Sequence, residues 1–209
     1  MPELNSPMHL NMLRLAKERK QPEKDGLYGL QWGDPNEVAF LKFIRDNYIY
    51  RFIHPDHVAL EIGPGGGRWT RYLLSFRKVY AVDYHQLLLD ELQLNFKVPH
   101  LIPVKNNGSD FPGVTPESVD FIFSFGTFVH LDLDIIIAYL ESMKDIIKPD
   151  GNIVIQYSDK TKKIARDTTG FSENTPEIMR AEVEKAGFVV LDENLTILPH
   201  SSLIRFSKW

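Results

Sequence analysis

The residues most able to do chemistry lie in one stretch, where the apolar run Val58-Ala59-Leu60-Glu61-Ile62 leads into Gly63-Pro64-Gly65-Gly66-Gly67 and then Arg68-Trp69. Glycines let a backbone turn sharply and approach a ligand with no Cβ in the way, and a helix opening after such a turn offers outward N–H groups. A polar or anionic ligand across this turn is the expectation. Twenty positions after Gly63, the run Val79-Tyr80-Ala81-Val82 ends in Asp83, where a carboxylate can accept from both hydroxyls of a ribose. Dinucleotides use the same arrangement, so a nicotinamide-dependent oxidoreductase stays open at this point. Two details weigh against it. The dinucleotide pattern needs Gly or Ala where this chain has Arg68, and Glu61 is placed to meet a cation rather than a pyrophosphate.

Together, Glu61-x-Gly63-x-Gly65-x-Gly67 resembles the E/D-x-G-x-G-x-G signature of class I S-adenosylmethionine-dependent methyltransferases. The resemblance runs from about residue 55 to 158 and takes in Val119 to Ser124 and Lys148-Pro149-Asp150-Gly151. It is closest to small-molecule enzymes of the ubiquinone-biosynthesis type. It implies S-adenosyl-L-methionine as cofactor, with Glu61, Gly63, Pro64, Gly65 and Gly67 around its methionine part. It also implies Asp83 on the ribose, Tyr84 on the adenine face, Asn107 and Gly108 at the adenine edge, and Ser124 nearby. In this family an Asp commonly stands where this chain has Asn107, whose amide oxygen can accept the same bond.

Methyl transfer from a sulfonium is an in-line displacement, so the protein mainly has to align the nucleophile. A hydroxyl nucleophile must also lose a proton, and a base of near-neutral pKa serves that purpose. His130, just past the fourth predicted strand, is the first candidate for this base, and His200, ahead of the last strand, is the second. Asp159 reaches the same edge. A metal held by His130, Asp132, Asp134 and Asp159 is not expected, because Asp132 and Asp134 suit a helix start. The basic run Lys160 to Arg166 offers charge for a substrate carboxylate or phosphate, and Tyr28, Trp32, Phe125, Phe128 and Phe171 offer aromatic walls. Ser124-Phe125-Gly126-Thr127 lacks the Pro-Pro motif that positions exocyclic amino groups, which favours oxygen methylation of a small molecule. A domain that keeps the fold but only binds partners is the other reading.

These groups need a scaffold, and the periodicity supplies one. Strands are predicted at 58 to 62, 79 to 83, 101 to 105, 119 to 124 and 152 to 157, with helices marked by Leu88 and Leu92 and by Ile136, Leu140, Met143 and Ile147. Strand and helix alternating in this way imply right-handed crossovers and a parallel sheet covered on both faces. The fold class is α/β, doubly wound, with seven strands. Strands near 188 to 193 and 202 to 207 form an antiparallel hairpin at its edge. Asp34, Pro35 and Glu37 predict a capped helix carrying Val38, Leu41, Ile44 and Tyr48 on one face, and Thr175-Pro176 opens another that ends near Gly187. The link 106 to 118 has room for one helical turn at most. Residues 1 to 33 are expected to be an arm or lid, and 34 to 209 the catalytic domain.

Composition narrows the function further. The chain of 209 residues has 24 basic and 28 acidic side chains and a net charge of −4, which offers no broad surface for a phosphate backbone. No nucleic-acid partner is expected. Cysteine is absent, which removes thiolate metal sites and every cysteine nucleophile, including the covalent route to cytosine C5. No apolar stretch approaches a membrane span and no leader is evident, so a soluble, cytoplasmic protein is expected.

Overall fold

The computed structural model describes residues 27–208. Of the expected N-terminal arm, residues 27–33 are described and the rest lies outside the described residues. A seven-stranded sheet forms the centre, built from β1 (Val58–Ile62), β2 (Lys78–Asp83), β3 (Leu101–Lys105), β4 (Val119–Ser124), β5 (Ile147–Ser158), β6 (Phe188–Asn194) and β7 (Ser201–Lys208). Their order is β3-β2-β1-β4-β5-β7-β6, with β1 to β5 parallel and β7 antiparallel to both β5 and β6. The expected hairpin is therefore present, with β7 inside the sheet and β6 at its edge.

Alternation along each strand builds two cores. Val58, Leu60 and Ile62 face the layer of α4 (Leu133–Ile146) and α6 (Pro176–Lys185), where Ile136, Leu140, Met143, Met179 and Val183 are fully buried. Ala59 faces the other way, toward Leu41 and Ile44 of α1 (Ala39–Tyr48), toward Leu73 of α2 (Thr70–Leu73) and toward Leu92 of α3 (Gln86–Asn95). Glu61 has the parity of Ala59, so its carboxylate goes under α2 rather than into the first core.

Several predicted boundaries move. Asp34 accepts from the Asn36 N–H and its carbonyl from Glu37 and Val38, closing a turn, and α1 begins four residues later than the predicted capping box implied. The Asp34 carboxylate is instead engaged by Arg71. Ile147 leaves α4 and pairs with Val119, which starts β5 earlier than 152. Residues 106 to 118 contain no helix, whereas the loop after β5 contains a short one, α5 (Lys163–Asp167).

The chain turns from β1 to β2 and β3 on one side and returns to β4 on the other. A crevice opens beyond the carboxyl ends of β1 and β4 at such a reversal. The registers Ile62 with Val82 and Ile62 with Ser124 bring those ends level. At the predicted cap, Thr175 Oγ1 accepts from the Ile178 N–H at 3.3 Å, with Pro176 opening α6. Thr175→Ala is expected to lower stability by about 1 kcal/mol in urea unfolding; an unchanged midpoint would show that Pro176 alone fixes the helix start.

Candidate active site

A cavity of about 560 Å³ lies at this crevice, within the range of roughly 300–1,000 Å³ that suits small molecules and cofactors. Gly63, Pro64 and Gly65 form its floor, Asp83 and Tyr84 one end, and His130 and His200 another. These seven of the predicted site residues are thus brought together.

The glycine turn is held by protein neighbours on both sides. Gly63 has φ +72°, and a Cβ there would stand 1.8 Å from Thr127 Oγ1, which itself donates to the Ile62 carbonyl at 3.3 Å. A Cβ on Gly66 would meet the Tyr28 backbone nitrogen at 2.4 Å, and one on Gly67 the Phe96 ring at 2.1 Å. Gly67 is therefore a packing position, away from the cavity wall. The helix expected directly after the glycines starts only at Thr70 and is four residues long, with turns between.

Two buried acids sit below and beside this turn. Glu61 is 2% exposed and accepts from Thr70 Oγ1 at 2.5 Å; burial, with a contribution from Asp83, pushes its carboxyl up to about 8. It supports the turn from beneath and does not line the cavity. Asp83 does line it. Its Oδ1 accepts from the His85 N–H at 2.8 Å, and burial outweighs that bond and the Lys105 charge, lifting the carboxyl to about 7.

The histidine end is built from three loops. His130 closes the short helix Phe128–His130, and its Nδ1 is 2.8 Å from the Gly170 carbonyl. A carbonyl only accepts, so Nδ1 carries the proton and Nε2 is left as the basic nitrogen, with no protein partner among the described residues. Burial lowers the pKa of His130, and burial together with the charges of Lys162 and His130 lowers that of His200. Phe171 stands between them, 5.3 Å from each ring.

Other predicted residues lie elsewhere. Ser124 is fully buried and donates to the Ile62 carbonyl at 2.9 Å, tying β4 to β1. Asn107 is exposed in a turn, accepting from the Ser109 N–H, and Gly108 follows it; neither is on the cavity wall. The buried neighbour Asn106 instead reaches Tyr139 of α4. Asp159 accepts from Ser202 and Thr161 and holds Lys162, whose ammonium also donates to the carbonyls of Leu198 and Ser201. Lys160 pairs with Glu173, so much of the basic run is taken up in fastening this loop. Tyr28, Trp32, Phe125 and Phe171 wall the cavity as expected, whereas Phe128 belongs to the core. Phe40, Trp69, Thr127 and Gln156 were not anticipated on the wall. Phe40 had a signal, an aromatic one position off the apolar stripe of α1.

Residues 59–151 match the family described as a methyltransferase domain. The match takes in the glycine turn and Asp83 and spans a little under half of the chain. Solved structures agree on the fold. A methyltransferase of Haloferax volcanii in complex with the Trm112 methyltransferase activator superposes with a TM-score of 0.72 at 13% identity, covering 94% of this chain and 96% of that one. The CcbJ methyltransferase of Streptomyces caelestis gives 0.68 at 15% identity, with 86% and 100% covered. The magnesium protoporphyrin IX methyltransferase of Synechocystis, with bound SAH, gives 0.68 at 13% identity, with 97% and 95% covered. No curated protein matches in sequence. The fold is that of class I methyltransferases, the enzyme is S-adenosylmethionine-dependent, and the nicotinamide reading is set aside. The cavity fits that cofactor: it joins the glycine turn to a carboxylate with hydrogen-bonding capacity left for ribose hydroxyls.

The raised acids give the methyltransferase a pH signature. Asp83 in the folded chain holds a proton up to about 7, whereas unfolded it ionises near 4. Its burial therefore stabilises less as the pH rises through that window. Relative to wild type, cofactor-free Asp83→Asn is expected to gain stability progressively from about pH 4 to 7 in urea unfolding. A constant difference would mean that Asp83 is solvated.

Proposed function

We propose that this methyltransferase acts on a hydroxyl oxygen of a small molecule, with neutral His130 as the base. One observation carries the reading: His130 is oriented by the Gly170 carbonyl so that a basic Nε2, unpartnered among the described residues, remains on a residue of the cavity wall. Its lowered pKa keeps it deprotonated at neutral pH, ready to take the hydroxyl proton as the oxygen attacks. His200, also neutral, lies across Phe171 and keeps a second proton acceptor near the same end.

When bound, the cofactor supplies a methyl group already activated on sulfonium. The chain's own contribution is placement. Gly63, Pro64 and Gly65 would carry the methionine part, Asp83 the ribose hydroxyls and Tyr84 the adenine, while Glu61 supports the turn through Thr70. Residues 27–33 serve as a roof, since Tyr28 rests on Gly65 and Gly66, and residues 34–209 make up the catalytic domain. An acceptor of small size agrees with the resemblance to enzymes of the ubiquinone-biosynthesis type.

S-adenosylhomocysteine at a hundred times its dissociation constant is expected to add about 2.7 kcal/mol to stability, and NAD nothing. With a panel of phenols and sugars as acceptors, His130→Ala is expected to cut turnover about a hundredfold or more while leaving S-adenosylhomocysteine affinity within about twofold. The wild-type rate is expected to fall in acid with a midpoint below the ordinary histidine value of about 6.5. Turnover unaffected by the substitution would remove His130 as the base.

A further inference from the structure

One charged residue of the cavity is unused by this reading. Arg68 is 7% exposed and is the only Lys or Arg on the cavity wall among the described residues. Its Nε donates to the Gly33 carbonyl at 2.9 Å and its Nη2 to the Trp32 carbonyl at 3.0 Å. A guanidinium has five N–H groups, so both on Nη1 and one on Nη2 remain without an acceptor among the described residues. Among the described residues Arg68 forms no ion pair. The acid that acts on it, Asp34, is engaged by Arg71, so one carboxylate faces two guanidiniums. Burial lowers its pKa only to about 10, and it stays charged.

A buried, unpaired cation beside a cavity is costly unless a ligand completes it. The surroundings say what kind of ligand. The guanidinium lies 5.5 Å from the Trp69 ring centroid and 5.6 Å from that of Phe125, and both rings line the cavity with Trp32 and Phe40. Flat aromatic surfaces take a flat ring, and a guanidinium takes a carboxylate through paired N–H groups.

We propose that Arg68 binds a carboxylate on the methyl acceptor, which is an aromatic acid whose ring lies among Trp32, Phe40, Trp69 and Phe125. The proposal rests on the hydroxyl-transfer reading for the placing of an acceptor in this cavity, and a wild-type protein that ignores S-adenosylhomocysteine would sink that reading first. Clamping residues 32 and 33 uses only part of the fork, so the same side chain both fastens the roof and offers charge beneath it.

The test uses protein saturated with S-adenosylhomocysteine and three matched pairs of probes, namely hydroxybenzoate, hydroxyphenylacetate and indoleacetate, each against its own amide. In calorimetric titration at least one acid is expected to bind about tenfold or more tighter than its amide. Arg68→Gln is expected to bring that pair within about twofold, and Arg68→Lys, which keeps the charge, to retain a clear preference. No preference for the acid in any pair overturns the proposal. So does equal loss in the Gln and Lys variants, which would assign the effect to the roof. The competing source of a carboxylate is the cofactor's own amino-acid end. If Arg68→Gln weakens S-adenosylhomocysteine about tenfold but leaves methylthioadenosine, which lacks that end, unchanged, the contact belongs to the cofactor and the proposal also fails.

Discussion

The close seating of the glycine turn between two other segments is the constraint on which the site depends. Thr127 fills the space above Gly63, and Tyr28 rests on Gly65 and Gly66. Side chains at these positions would push apart the end of β1, the loop after β4 and the N-terminal segment. The three pieces meet only because the backbone between them is bare. That meeting brings the floor, one wall and the roof of the cavity into register.

Withdrawal from water then sets the chemistry of what is enclosed. The same burial raises Glu61 and Asp83, lowers His130 and His200, and lowers Arg68, so each group is pushed toward its uncharged form. For the histidines this leaves free bases at neutral pH. For Asp83 it means that ionisation and hydrogen bonds from a ligand's hydroxyls would favour each other, because donors to the carboxylate replace lost water. For arginine the shift is too small to discharge it, and the cation persists.

Much of this was legible in sequence because period and parity are local properties. Strands β1 to β4 and the α4 helix follow from apolar spacing, and Thr175-Pro176 states its cap directly. The turn and Asp83 were legible as a register of residue types. What escaped depends on neighbours distant in the chain. Glu61 looks like a ligand group until parity and Thr70 place it beneath the sheet's end, and Arg68 looks like a mere mismatch until residues 32 and 33 arrive over it. Asn107 was placed at the adenine edge by the family resemblance, and its neighbour Asn106 is the residue that turns inward. Asp34 reads as a helix cap, but Arg71, unseen by any local rule, draws it into a turn.

The position of β7 has a consequence for how the molecule comes together. It is the last strand of the sheet in sequence, yet it fills the gap between β5 and β6, and among the described residues β6 pairs with no other strand. The sheet must wait for the final strand before its far edge can attach. His200 directly precedes that strand, so the two imidazoles become neighbours only at the closing event of assembly. A chain stalled before that step would possess the turn and Asp83 but only one of the two cavity histidines in place.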